Sequence, residues 1–192
     1  AILARREWRP TDPARTLFIP ATKSGGTVET MSLLKFFYNR TCESVGAGQA
    51  GAHFAAITDP GSGLADLAKA LSFRHIFLND PNIGGRYSAL SFFGLVAAGM
   101  IGMNLERLLQ QAHNMATECT GNRQNPGALL GATLGASALA GHDKVTLVAS
   151  PPITTFGAWV EQLVAESTGK DGRGILPVDN EPLGAPSAYA SD

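Results

Sequence analysis

The sequence predicts an α/β fold built on a parallel sheet, because short apolar runs alternate with helical patterns along its first half. Residues 16–19, 53–58 and 75–78 are apolar runs typical of buried strands. Apolar residues recur with helical spacing at 31–37, after the first run, and at 64–71, after the second. Since right-handed crossovers bring the carboxyl ends of parallel strands to one edge, we expect a doubly wound sheet with ligands beyond that edge.

The second half of the chain predicts helices and then a new strand. Residues 88–141 show helical patterns only, and a strand and a helix follow at 144–149 and 156–166. Residues 171–192 are rich in Pro, Gly, Ser and Ala, so we expect an extended loop there. The helices within 88–141 are predicted at 88–100, at 105–116 after Asn104, and at 126–139 after the cap residue Asn125.

Length, charge and cysteine usage argue against several classes of protein. With 192 residues, 44% of them hydrophobic, the chain can bury the core of one large or two small domains. A net charge of -1 gives no overall attraction to nucleic acid or anionic membranes, and we expect neither as a partner. The uncharged runs at 87–103 and 125–141 are shorter than the ~20 apolar residues that span a bilayer, so they predict buried helices. Cys42 and Cys119 form no Cys-x-x-Cys pair, which favours a reducing cytoplasm and no zinc ribbon.

Residues 22–30, Thr-Lys-Ser-Gly-Gly-Thr-Val-Glu-Thr, predict a phosphate-binding loop between the first strand and the first helix. A helix beginning at about Thr27 directs unpaired backbone N–H groups and the positive end of its dipole at the loop. Ser24, Thr27 and Thr30 add hydroxyl donors. Lys23 adds a positive charge, and the two glycines let a ligand approach the backbone. An ordinary turn with an N-cap needs the same residue types, so both explanations stay open on this segment alone.

Two further segments place charged groups in contexts suited to chemistry. Residues 79–88, Asn-Asp-Pro-Asn-Ile-Gly-Gly-Arg-Tyr-Ser, form a turn-rich loop after the third strand whose cation is Arg86. Residues 165–170, Ala-Glu-Ser-Thr-Gly-Lys, end a helix and include Glu166. The structural alternatives are a surface arginine on a glycine turn and a solvated helix end. Three polar residues lie at the predicted carboxyl ends of strands: Ser24, Asp59 and Asn79.

Together these segments resemble the glucose-6-phosphate isomerase family, from residue 16 to about residue 178. Residues 22–30 are similar to its Ser-Lys-Thr-x-Thr-Thr-x-Glu-Thr loop, with Thr for Ser, Ser for Thr and two glycines in the middle. Residues 83–88 match its Val-Gly-Gly-Arg-Tyr-Ser segment with Ile first, and residues 166–170 match its Glu-Ser-Asn-Gly-Lys segment with Thr168 for Asn. The glycine-rich loop and residues 166–178 look most like the isomerase part of bacterial bifunctional transaldolase/glucose-6-phosphate isomerase chains.

The resemblance implies a SIS-type doubly wound parallel sheet in three αβα layers, a domain that occurs twice in such enzymes. By this resemblance, residues 1–87 are the C-terminal part of a first SIS domain and residues 88–141 are connecting helices. Residues 142–192 are the truncated beginning of a second SIS domain. It also implies a cytoplasmic enzyme of glycolysis and gluconeogenesis that needs no cofactor or metal and is a homodimer at full length.

The resemblance also implies a reaction and the residues that perform it. The family interconverts glucose 6-phosphate and fructose 6-phosphate through a cis-enediol, moving a proton between carbons 1 and 2. Glu166 would be the general base, Arg86 would stabilise the enediolate, and Gly85 would contact the substrate. The phosphate would be held by Thr22, Lys23, Ser24, Thr27 and Thr30.

The ring-opening half of such a site is expected to lie outside this chain. The family's Gly-x-Gly-Gly-Ser segment, its late Lys and its His, supplied by a neighbouring subunit in a Gly-Thr-Asn-Gly-Gln-His context, have no counterpart in the sequence. The chain also begins without Met, so we expect a piece of a longer protein with little or no turnover by itself. Two alternatives are a non-catalytic SIS module that senses sugar phosphates and an isomerase of another phosphosugar, such as a pentose or heptose phosphate.

Overall fold

A computed structural model describes residues 12–121, 125–185, 187 and 189. It contains two compact units, Ala1–Leu109 and Gln110–Asp192. Residues 1–11 of the domain predicted at 1–87 lie outside the described residues. No described helix is long and apolar enough to cross a membrane.

The first unit contains a short parallel sheet. Strand β1, Ala55–Thr58, pairs in parallel with strand β2, His75–Leu78. On the other side of β1, residues 18–22 run parallel to it, because the Phe18 amide donates to the His53 carbonyl at 2.8 Å and the Thr22 amide donates to the Ile57 carbonyl at 3.0 Å. The predicted parallel pairing of these strands is therefore found.

The first predicted strand differs from the expectation in one respect. It forms two isolated parallel bridges, Phe18 to Phe54 and Ala21 to Ile57, in place of a continuous ladder. Pro20 lies between the two bridges, and its carbonyl accepts from the Ile57 amide at 3.0 Å while its nitrogen has no hydrogen to donate. Pairing also extends beyond the predicted residues 16–19, as far as Thr22.

The helices of the first unit pack on the sheet and are connected to it by the loops at its edge. The predicted helix beginning at about Thr27 is confirmed, with Thr27 as its N-cap. Short 3-10 helices occur at Pro13–Arg15, Gly51–His53 and Gly85–Leu90. The α-helices are α1 Val28–Val45, α2 Ala47–Ala50, α3 Gly63–Ala70 and α4 Phe92–Met100, and helix α5, Leu105–Glu118, includes the boundary between the two units.

The core of the first unit is centred on Phe54, whose side chain is completely buried. Its ring centroid lies 5.1 Å from that of Phe18 and 5.2 Å from that of Phe73. Leu34 of α1 and Leu64 of α3 belong to the same buried cluster. Since a buried aromatic ring provides a large apolar area, this cluster anchors both helices on the sheet and so positions the loops at its edge.

The predicted helix at 88–100 is wrong in its first part. Residues Gly85–Leu90 form a 3-10 helix, and α4 begins only at Phe92. The Ser88 hydroxyl donates to the Gly85 carbonyl at 2.6 Å, and the Ser91 hydroxyl accepts from the Phe93 amide at 3.3 Å. Such local side-chain bonds compete with the α-helical pattern, and the α-helix begins only after its N-cap Ser91.

The second unit begins with helices and contains a second parallel pair. Its elements are α6 Pro126–Leu139, β3 Lys144–Thr146, a 3-10 helix at Pro151–Ile153, α7 Phe156–Thr168 and β4 Leu176–Val178. The predicted cap at Asn125 is confirmed, since its side-chain oxygen accepts from the Ala128 amide at 2.8 Å. Asn104 caps α5 in the same way, accepting from the Arg107 amide at 2.9 Å.

Strand β4 contradicts the prediction of an extended loop over residues 171–192. It pairs in parallel with β3, and the Leu176 amide donates to the Asp143 carbonyl at 2.7 Å. Pro177 concealed this strand in the sequence, because proline is unfavourable inside a sheet. In the observed register it lies between Leu176 and Val178, whose backbone groups bond to the residues on either side of β3, Asp143 and Leu147. The missing N–H of Pro177 therefore breaks no bond of the pair.

Candidate functional site

The predicted phosphate-binding loop lies at the carboxyl edge of the sheet in the first unit. The extended segment that pairs with β1 ends at Thr22, and α1 begins at Val28 after its N-cap Thr27. The side chain of Thr27 makes no capping hydrogen bond. Because the first-turn amides of an α-helix have no intrahelical acceptor, the 18-residue helix α1 directs donors at the loop.

Gly25 brings the same loop against a second helix N-terminus. It is buried and has a φ of +72°, a backbone conformation that favours glycine. A methyl group on its α-carbon would lie 2.5 Å from the Leu64 nitrogen and 2.8 Å from the Gly63 nitrogen, at the start of α3. The positive ends of two helix dipoles therefore meet at this loop, an arrangement that favours an anion.

The predicted hydroxyl groups are only partly brought together. The Thr22 and Thr27 hydroxyl oxygens lie 2.9 Å apart, and the Ser24 hydroxyl accepts from the Gly26 amide at 3.2 Å. Thr30, in contrast, lines an apolar cavity of about 370 Å³ together with aromatic and aliphatic residues that include Phe18, Leu34 and Phe54. Its role in binding phosphate stays a prediction, as do those of the other hydroxyls.

A buried relay of hydroxyls holds the loop on the sheet. The Thr58 hydroxyl donates to the Thr22 carbonyl at 2.7 Å and lies 2.6 Å from the Ser62 hydroxyl. The Ser62 oxygen also accepts from the Ala65 amide at 3.1 Å, which caps α3. Since the Thr58 proton is used on Thr22, the Ser62 hydroxyl donates to Thr58. The relay joins the loop, β1 and α3 through buried, satisfied groups.

Lys23 is engaged within the protein. Its ammonium group contacts the Asp59 carboxylate and donates to the Pro81 carbonyl at 2.9 Å. Asp59 is 8% exposed, and its Oδ1 atom is buried without a hydrogen-bond partner among the described residues. The sequence placed Asp59 at a strand end, but its pairing with Lys23 was not predicted.

The loop that carries Arg86 starts at the neighbouring strand end. The Asn79 amide donates to the Thr58 carbonyl at 3.0 Å, and the Asn79 side-chain oxygen accepts from the Phe92 amide at 2.9 Å. This residue therefore closes the base of the loop. Gly85 and the half-buried Arg86 form the first turn of the 3-10 helix within it.

Glu166 lies in the second unit, on the exposed surface of α7 two residues before its end. The Thr168 hydroxyl accepts from the Ile175 amide at 2.9 Å, and the Gly169 amide donates to the Ala165 carbonyl at 2.9 Å. The helix predicted at 156–166 is thus found and ends two residues later than expected, at Thr168. The phosphate loop and the Arg86 loop share the first unit, whereas Glu166 belongs to the second.

Comparison with known families tests the resemblance from which the proposed roles of these segments were taken. The family model described as phosphoglucose isomerase matches residues 4–175. The chain belongs to the phosphoglucose isomerase family. The resemblance predicted from the three motifs is thereby confirmed.

Relatives in the phosphoglucose isomerase family include two bacterial enzymes. The glucose-6-phosphate isomerase of Thermosynechococcus vestitus is 38% identical over 168 residues, covering 81% of this chain and 30% of the relative. The glucose-6-phosphate isomerase of Rubrobacter xylanophilus is 32% identical over 176 residues, covering 86% of this chain and 39% of the relative. The chain therefore spans about a third of the length of these relatives.

Two solved structures, one of them a glucose-6-phosphate isomerase, have a fold similar to that of this chain. A glucose-6-phosphate isomerase from Chlamydia trachomatis superposes with a TM-score of 0.71 at 25% identity, over 93% of this chain and 35% of that chain. A hypothetical protein from Thermus thermophilus superposes with a TM-score of 0.75 at 26% identity, over 92% of this chain and 43% of that chain.

Proposed function

We propose that this chain provides the phosphate anchor and the proton-transfer groups of an aldose-ketose isomerase that interconverts glucose 6-phosphate and fructose 6-phosphate. The observation that carries the proposal is the loop at 22–27 in a member of the phosphoglucose isomerase family: two helix N-termini meet there, and the Thr22 and Thr27 hydroxyl oxygens lie 2.9 Å apart. Backbone amides and the hydroxyls of Thr22, Ser24 and Thr27 hold the substrate phosphate, and Thr30 extends the anchor into α1. The phosphate is remote from the reacting carbons, and the energy of binding it is used to position those carbons.

The chemical step is a proton transfer. The Glu166 carboxylate removes the proton from carbon 2 of the open-chain aldose, and the electron pair forms the double bond of a cis-enediol. Returning the proton to carbon 1, while oxygen 1 gains a proton and the carbon-2 hydroxyl loses one to become the carbonyl, completes the ketose without net oxidation, so the reaction needs no redox cofactor. The Arg86 guanidinium stabilises the negative charge that develops on the enediolate oxygen, and Gly85 contacts the substrate beside it.

The same proposal covers the parts that this chain does not contain. The fold is of the SIS type, with residues 1–87, 88–141 and 142–192 as the end of one domain, connecting helices and the start of a second. Ring opening is performed by groups elsewhere in a longer dimeric protein, which carries a transaldolase domain as well. The chain by itself isomerises little or no substrate.

A substrate comparison with the full-length protein that carries this chain tests the proposal. We expect kcat/KM for glucose 6-phosphate to exceed that for pentose and heptose phosphates by ~100-fold or more, since misplaced reacting carbons are costly. Faster turnover of a pentose or heptose phosphate would assign a different isomerase. Tight binding of glucose 6-phosphate without turnover would assign a sensor module instead.

A further inference from the structure

The contacts of Lys23 are unusual for a residue whose task is to bind a phosphate. Its ammonium group lies between the Asp59 carboxylate and the Pro81 carbonyl. The carboxylate neutralises the charge that a phosphate would use, and it also repels a dianion placed beside it. Lys23 therefore adds little net positive charge to the loop.

The same contacts connect two loops that both belong to the proposed site. Lys23 belongs to the phosphate loop, and Pro81 belongs to the loop that carries Arg86 five residues later. Asn79 already closes the base of the second loop through its bond to the Phe92 amide. The contact from Lys23 to Pro81 holds this loop at a further point, on the side that faces the phosphate anchor.

We propose that Asp59 is a positioning residue whose carboxylate holds Lys23 against the Pro81 carbonyl, so that Lys23 links the phosphate loop to the Arg86 loop and is not a phosphate ligand. Asp59 suits this task because it is nearly buried and follows β1, where the hydroxyl of Thr58 holds the phosphate loop. The pair has a defined geometry, because any other position of the partly exposed Lys23 ammonium would leave the Asp59 carboxylate buried and unpaired.

The proposal rests on the proposed isomerase function only for its consequence in catalysis. In that reaction, the linkage sets the distance between the phosphate of the substrate and the cation that stabilises the enediolate. A shift of about 1 Å in that distance is expected to cost ~100-fold in rate. Substrate affinity, which depends on the amides and hydroxyls of the loop, should change little.

The test uses the full-length protein with the double substitution Lys23→Met and Asp59→Asn. Removing both charges avoids leaving one of them buried and unpaired, so the double variant should fold even where a single one does not. The matched control is Asp66→Asn with Lys69→Met, an ion pair on α3 with side chains 74% and 67% exposed and a separation of 3.9 Å. The single variant Lys23→Arg keeps a cation for Asp59 and a donor for Pro81, so it should retain most of the activity of the unmodified protein.

Two measurements decide the proposal. In the double variant we expect kcat to fall ~100-fold while the Kd of a hexitol 6-phosphate, which cannot isomerise, stays within ~3-fold of the unmodified protein. A hexitol phosphate Kd raised ~10-fold or more, with kcat retained, would make Lys23 a phosphate ligand and overturn the proposal. A double variant that behaves like the control would overturn it as well.

Hydrogen exchange tests the linkage independently of turnover. The Ile83 amide donates to the Asp80 carbonyl at 3.2 Å and the Tyr87 amide donates to the Gly84 carbonyl at 2.9 Å, both within the Arg86 loop. We expect both amides to exchange ~10-fold faster in the double variant and unchanged in the control. Unchanged exchange contradicts the linkage. A protein that shows the faster exchange but does not isomerise glucose 6-phosphate keeps the linkage and refutes the proposed function.

Discussion

Gly25 packs so closely on Leu64 that a methyl group on its α-carbon would lie 2.5 Å from the Leu64 backbone nitrogen. Its φ of +72° is also unfavourable for residues with a side chain. Gly25→Ala should therefore displace the loop from the start of α3 and remove donors from the phosphate site. We expect the affinity for inorganic phosphate, measured by calorimetry, to fall ~10-fold or more, since hydrogen bonds to charged groups contribute about 1.5–3 kcal/mol each.

The adjacent glycine provides the matched control for this substitution. A methyl group on Gly26 would find its nearest neighbour, the Ser24 hydroxyl oxygen, at 3.8 Å, an ordinary van der Waals contact. Gly26→Ala should bind phosphate within ~3-fold of the unmodified protein. Equal losses in both variants would show that the close approach of Gly25 to α3 does not shape the site.

Thr27, the N-cap of α1, and Thr30, in the first turn of α1, should differ in their effect on substrate binding. The Thr27 hydroxyl lies 2.9 Å from that of Thr22 within the loop, whereas Thr30 lines the apolar cavity beside Phe18. Thr27→Val should raise KM for glucose 6-phosphate ~10-fold or more, because it removes a bond to a charged group. Thr30→Val should raise it less. Steady-state kinetics of the two variants measure this difference, and a larger effect at Thr30 would place the anchor on α1 itself.

The hydroxyl relay beneath the loop predicts a cost in stability. Thr58 is completely buried, and its hydroxyl bonds to both the Thr22 carbonyl and the Ser62 hydroxyl. Thr58→Val leaves these two groups without their partner and should lower the free energy of unfolding by about 1–3 kcal/mol in urea titrations. The control is Thr133→Val, whose exposed hydroxyl donates to the Leu129 carbonyl at 2.9 Å and should change stability by less than about 0.5 kcal/mol. Similar losses in both would contradict the relay.

Local patterns in the sequence predicted the position of most elements, because each has a signal within a few residues. Asn125 followed by Pro126 predicted the start of α6, and the apolar run at 75–78 predicted β2 with its observed bounds. The first strand and β4 were harder, since a proline lies in each. Whether a proline disrupts a strand depends on which neighbour its nitrogen faces, and the sequence does not state this.

The sequence predicted which segments form the candidate site, but it did not predict the contacts between them. The loop at 22–30 and the strand-end position of Asp59 followed from the sequence order of strands and helices. The ion pair of Asp59 with Lys23 joins residues 36 positions apart, and the Gly25 contact joins the loop to a helix 38 residues later. Contacts across such distances depend on the packing of the sheet and helices, so no local pattern predicts them.

The most direct test of the account is the substitution Glu166→Gln in the full-length protein, with Glu161→Gln on the same helix as control. Glu166→Gln removes the proposed base while preserving the size and shape of the side chain. Isomerisation should therefore slow by ~100-fold to ~10,000-fold, and so should the loss to solvent of a deuterium label on carbon 2 of the substrate. Binding of the hexitol 6-phosphate should be unchanged, and Glu161→Gln should retain full activity. Near-normal rates of isomerisation and label loss in Glu166→Gln would contradict the assignment of Glu166 as the base.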